Sequence, residues 1–328
     1  MSILADALQP FLVTGLNTIQ GRPPAMTLAD LIGRQLRIGF DLEFDDASQT
    51  IMADFRDASA VLNSTASDVA RFASASFQSI NQSSREIIER ERTSWSLIKA
   101  YYAAFYAGHA IIRMTGESCS YFDKAHVTRI TSLGLALGRT PNIRLPAGVY
   151  HCVINRSATI IRSRSLRGGS GGAHEAFWST FGKRIGEISE AVLLGSLGEI
   201  ERRLVFEKLE RARASIRAHN APLFSYLSIV RNDVQYRHAH DVWLPDSLKK
   251  GDRELLSRLI AQWQRDPMDI DIGAKRVGHL GEFVAACSFI ISVCRVLLVR
   301  IAERCTTYAR SFAKIGPLAL IQGEEMAC

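Results

Sequence analysis

At 328 residues, 47% hydrophobic and 22% charged, the chain has a globular composition that excludes a disordered or fibrous protein. That length suits one large domain or two modest ones, with enough chain to bury a core. The formal net charge is +7, and 32 of the 40 basic residues are arginine, whose planar fork grips phosphate as lysine does not. A GC-rich coding bias produces the same arginine excess. Charge is also uneven: residues 1–60 carry eight acids against four arginines, whereas 151–184 carry six basic residues against Glu175. A local positive field of that kind steers polyanions.

The first eighty residues read as a separate α+β unit of unassigned role, a sensor or partner-binding part. In 37–44 apolar Ile38, Phe40, Leu42 and Phe44 alternate with polar or small residues, a half-buried strand. A turn at Asp45–Ser48 leads to a second strand near 49–55. The Ser/Ala-rich stretch 58–83 reads as a connector, with strand or helix over part of it as the alternative. A helix is then expected from a capping box of Ser83 and Glu86, with Glu86–Arg90 as an i,i+4 pair. Trp95, Ile98, Tyr102, Phe105, Tyr106, His109 and Ile112 trace one face of it, an aromatic stripe that suits core packing with His109 as a core histidine. Gly116 ends it.

Residues 117–150 predict a short helix and loops around Pro141 and Pro146. Strand-like residues follow from His151, and a basic, glycine-rich tail at 162–172 reads as a loop matching no phosphate-binding fingerprint. Beyond Glu175 helices are expected near 176–194, 197–218, 221–238 and 252–265. A last long one begins near His279 and stops before Gly316-Pro317. Its most apolar run, Phe283 to Cys294, is 12 residues, short for a bilayer and suited to a buried helix. The six cysteines (119, 152, 287, 294, 305, 328) form no C-x-x-C pair and no metal spacing. Free thiols, and an N-terminus without a signal-peptide pattern, give the expectation of a cytoplasmic protein away from membranes.

One stretch concentrates chemistry. SIVRNDVQYRHAHDVWLP (228–245) packs Arg231, Asn232, Asp233, Arg237, His238 and His240 into ten residues. An imidazole titrating near neutral pH and a fixed guanidinium are what RNA cleavage without a metal needs, one to move the 2′-OH proton and one for charge building on phosphorus. Spacing by itself is weak evidence, since Arg144/His151, Arg167/His174 and Arg213/His219 share it. What sets Arg231/His238 apart is the polar Asn232 and a place at the end of an amphipathic helix. If that helix continues, seven residues put both side chains on one face. The competing reading is a solvated helix end with Arg231 paired to Asp233 or a neighbouring carboxylate. Asp233 and Asp241 alone make a poor metal site, so no metal and no cofactor are expected.

RNDVQYRHAHDVWLP resembles the motif of the HEPN superfamily, an arginine, a polar residue and, four to six residues on, a histidine. WSLIKAYYAAFYAGHAIIRMTG (95–116) is similar to the aromatic, alanine-rich early helix of the same group. The resemblance implies a mainly α fold: a HEPN-like helical bundle over 81–328, a small N-terminal α+β unit over 1–80, and a loop-rich basic insertion near 117–175 for RNA gripping or regulation. It also implies a metal-independent endoribonuclease, restrained until triggered, acting as a toxin or in defence against phage. Its site forms between the two chains of a homodimer, and its partners are RNA and an antitoxin or regulatory protein. Arg231 would hold the scissile phosphate, His238 would act as general base or acid, and Asn232 would orient the phosphate or the Arg–His pair. Asp233, Tyr236, Arg237 and His240 are supporting candidates, with the choice between His238 and His240 open. Arg162, Arg164 and Arg167 are candidates for gripping the RNA. The alternative is a non-catalytic HEPN-like module that binds RNA or protein.

Overall fold

The computed structural model describes residues 2–34, 40–89, 92–139, 145–166, 172–217, 224–243, 248–273 and 278–322. It is mostly helical, 65% helix and 11% strand. In chain order come α1 (Ile3–Leu8), α2 (Leu28–Arg34), β1 (Phe40–Asp45), β2 (Thr50–Phe55), α3 (Ala58–Glu89), α4 (Thr93–Met114), β3 (Glu117–Phe122) and α5 (Lys124–Ala136). Then follow β4 (Gly148–Ile154), β5 (Ile160–Ser165), α6 (Gly172–Val192), α7 (Glu199–Ser215), α8 (Tyr226–Arg237), α9 (Lys250–Ala261), α10 (Gly278–Glu303), α11 (Phe312–Ile315) and α12 (Ala319–Gln322).

Helix α10 is the axis of the helical layer. Nearly all its side chains from Leu280 to Ala302 are buried, because apolar residues run all round it, and α1, α4, α7 and α9 pack on it. It is long and apolar enough to cross a membrane, but in this fold its most apolar window is 83% buried inside the protein. The five described cysteines are free and buried.

The strands form one antiparallel sheet in the order β1-β2-β5-β4-β3. Alternation sends Ile51, Ala53, Tyr150, Cys152 and Ile161 into a second core, shared with Leu28, Leu31 and Ile32 of α2 and Ile130 of α5. The opposite face carries His151, Arg162 and Arg164.

Several expectations are corrected here. The boundary near residue 80 falls inside α3, and the 58–83 connector is helix. Its stripe of Leu62, Ala66, Val69, Ala73, Phe77 and Ile80 is fully or largely buried, but a third of it is alanine, which gives little apolar contrast against the serines. The N-terminal hairpin is no unit of its own. A two-stranded ribbon cannot bury its face alone, and β2 pairs with β5 (Ile51 opposite Ser163, Ala53 opposite Ile161), so residues 40–55 and the 117–165 insertion build one sheet. Ser83 starts no helix: it lies mid-α3 and its Oγ donates to the Ser96 carbonyl, while Glu86 accepts from Lys99 Nζ at 2.7 Å. Arg90 and Arg167 lie outside the described residues. Strand β3 was not expected, since ESCSYF has no alternation; it is covered on both faces except at Tyr121.

Candidate functional site

Helix α8 lies on α4 and carries Arg231. Leu227, Val230 and Val234 anchor its buried side, and Tyr226 Oη donates to the His279 carbonyl. Arg231 is 7% exposed. Its guanidinium carbon lies 5.2 Å from the ring centre of Tyr101, 5.7 Å from Tyr102 and 5.8 Å from Tyr236. Nη1 donates to Gln235 Oε1 at 3.2 Å, and Nε is buried without a partner. Among the described residues no carboxylate reaches it. Asp233, the alternative partner, is bonded instead to the exposed Arg237 at 2.8 Å.

A histidine does stand beside Arg231, and it is His174 of α6. Trp178 Nε1 donates to Tyr101 Oη at 3.2 Å, and the Tyr101 hydroxyl shares a hydrogen bond with His174 Nδ1 at 2.8 Å. Where the hydroxyl is the donor, the imidazole is the neutral tautomer with its proton on Nε2. Burial, and then the charge of Arg231, pull His174 down to about 4. Burial chiefly pushes Tyr101 up to about 12. At neutral pH Arg231 is therefore, among the described residues, a charged group set against the neutral Tyr101 and His174.

His238 lies elsewhere. The helix ends at Arg237, one residue short of it, and His238 takes a left-handed conformation at φ 52° as the helix cap. The two-turn common face therefore does not extend to His238. Its exposed imidazole packs on Trp243 at 5.0 Å between ring centres, and Trp243 meets Trp95 edge-on at 5.7 Å. Trp243 Nε1 donates to the Val234 carbonyl and ties this turn to the helix end. His240 and Asp241 are also left-handed, at φ 69° and 53°, so three of the five such non-glycine residues among those described fall within four positions. Backbone strain concentrated like this is characteristic of functional segments. His240 Nε2 is buried without a partner. Asn232 and Tyr236 are exposed, and Trp95, 48% exposed, and Tyr236, 68% exposed, give this surface an aromatic rim.

Arg162 and Arg164 are exposed on β5, on the outer sheet face. His109 is a core histidine: it stacks on Phe72 and Phe177 and takes a hydrogen bond from Arg113, and burial above all holds it well below its usual pKa. Among the described residues no three His, Cys, Asp or Glu side chains converge as metal ligands. Sequence reasoning missed His174 and Tyr101. The first was set aside with the chance Arg–His pairs, and the second stood one position off the aromatic stripe. Comparison with family models, curated proteins and solved structures finds no match to this chain.

Proposed function

We propose that this chain is an endoribonuclease that cleaves RNA without a metal ion. Arg231 holds the scissile phosphate and stabilises the charge that develops on it. His238 moves the proton of the ribose 2′-OH or of the leaving 5′-oxygen, and Asn232 orients the phosphate. The observation that carries the reading is the state of Arg231: a permanent cation, buried, with no carboxylate partner among the described residues. An uncompensated buried charge costs several kcal/mol, at order of magnitude, and an incoming phosphate supplies the missing counter-charge. The strained turn at 238–241 and the exposed Tyr236 and Trp95 add support, since aromatic faces stack on unpaired bases. Arg231 and His238 share no hydrogen bond within one chain, which favours a site completed by a second copy, as in the HEPN-like arrangement. Restraint by an antitoxin or regulatory protein, and a part in phage defence, belong to the same proposal through that resemblance.

Incubating labelled RNA in EDTA tests it. Wild type should yield 2′,3′-cyclic phosphate and 5′-OH ends, and Arg231→Ala and His238→Ala should leave the RNA whole; full activity in either variant sinks the assignment. A second reading is a binding module, favoured by the depth of Arg231 beneath its tyrosines. It is the outcome if RNA shifts on a gel but stays intact in every lane.

A further inference from the structure

Away from Arg231, the outer face of the sheet and α6 enclose a cavity of about 520 Å³, within the roughly 300–1,000 Å³ usual for small-molecule sites. Strand pairing assembles its chemistry. His151 of β4 stands directly opposite Arg164 of β5, and also opposite Cys119 of β3. Glu117, two residues from Cys119, therefore shares their face. Helix α6 adds Lys183 and Arg184.

These groups are not equivalent. Glu117 Oε2 accepts from His151 Nε2 at 2.8 Å, and its Oε1 accepts from Arg184 at 3.2 Å. Arg184 also donates to the Thr115 carbonyl at 2.7 Å and pairs with Glu187 at 3.1 Å. Glu117 is thus neutralised and Arg184 is committed to the frame. Three groups stay uncommitted among the described residues: the guanidinium of Arg164, the ammonium of Lys183 and Nδ1 of His151. Half-buried Leu145 and Leu166 add an apolar wall. Two free cations with an oriented imidazole suit a phosphate and a neighbouring hydroxyl, and the leucines suit an organic body.

We propose that this cavity binds a small phosphate ester of nucleotide or sugar-phosphate size. Its phosphate sits on Arg164 and Lys183, a hydroxyl on His151 Nδ1, and its organic part against Leu145 and Leu166. The site does not rest on the catalytic assignment, since neither Arg231 nor His238 lines it, although Arg164 is also a candidate for gripping RNA.

Titration calorimetry on the full chain at low salt tests this, with adenosine 5′-monophosphate, ribose 5-phosphate, adenosine, ribose and inorganic phosphate as probes. At least one ester should bind with a Kd below about 1 mM, the unphosphorylated compounds should give no heat, and inorganic phosphate should bind more weakly than the ester. Arg164→Ala and Lys183→Ala, both exposed and so expected to melt as wild type, should each weaken the ester at least about tenfold. No heat from either ester overturns the proposal. So does binding that ignores both substitutions, or inorganic phosphate bound as tightly as the esters.

Discussion

Two arginines are buried among the described residues, and they are treated in opposite ways. Arg113 of α4, with a 2% exposed side chain, bonds through Nε to Asp68 at 3.2 Å; Asp68 is itself 2% exposed. Arg113 Nη1 donates to His109 Nδ1 and to the His109 carbonyl, Nη2 donates to the Cys119 carbonyl, and the guanidinium stacks on Phe72. Arg231 of α8 has a comparable aromatic setting and bonds to the Gln235 amide, but no carboxylate reaches it among the described residues. Both meet the cost of burial partly through ring faces, which attract cations. Among the described residues, only Arg113 of the two has its counter-charge inside the fold. The contrast separates an arginine that holds α3, α4 and β3 together from one left open to an anion.

The largest effect should fall on Arg113. Asp68 also pairs with Arg71 at 2.9 Å, so the sharper change is Asp68→Leu, which leaves the Arg113 charge buried without a carboxylate and should cost about 3–5 kcal/mol in urea unfolding. Arg231→Met removes a charge the fold does not compensate, so its stability should equal or exceed that of wild type. Equal losses at the two positions would erase the distinction.

Activity should reverse that ranking. Arg231→Ala should lower RNA cleavage by about 10²–10³-fold in single-turnover assays. Arg231→Lys should recover little, because a point charge does not replace the planar fork.

A smaller effect is expected from pH. His174 is held at about 4 against a usual 6.5, and His109 is also lowered. Between pH 6.5 and 4 the unfolded chain therefore binds protons that the folded chain refuses. Stability should be full above pH 6.5 and decline as pH falls towards 4. His174→Gln should flatten part of that decline; an unchanged acid limb would mean that His174 is not held neutral.

The smallest effect is at the helix cap. His238→Gly relieves a left-handed residue and should gain up to about 1 kcal/mol, while abolishing cleavage. Opposite movements of melting temperature and rate would mark this turn as strained for function.

Much of this was readable in the chain. The helices beyond residue 175 follow from runs of apolar residues at helical spacing, and Phe283 to Cys294 announces the buried axis. The concentration of Arg231, Asn232, His238 and His240 picks out that stretch, although not the turn that takes His238 off the helix. Other features were hidden, each for a physical cause. Alanine and serine masked α3, since their side chains differ little in hydrophobicity across a helix. The hairpin's partner was invisible because β2 and β5 pair across a gap of more than a hundred residues, and no local pattern encodes that register. His174 and Tyr101 lie 73 residues apart and meet only through the packing of α6 on α4.

Residue order alone thus settles the helical class, the apolar axis and the stretch where reactive side chains gather, because these depend on neighbours within a few turns. Which arginine has a counter-charge, where His238 comes to rest and what surrounds His151 depend on burial and on contacts between distant segments. An ion pair such as Arg113–Asp68 exists only once α3 and α4 exclude water around it, and only then does the absence of such a partner at Arg231 carry meaning.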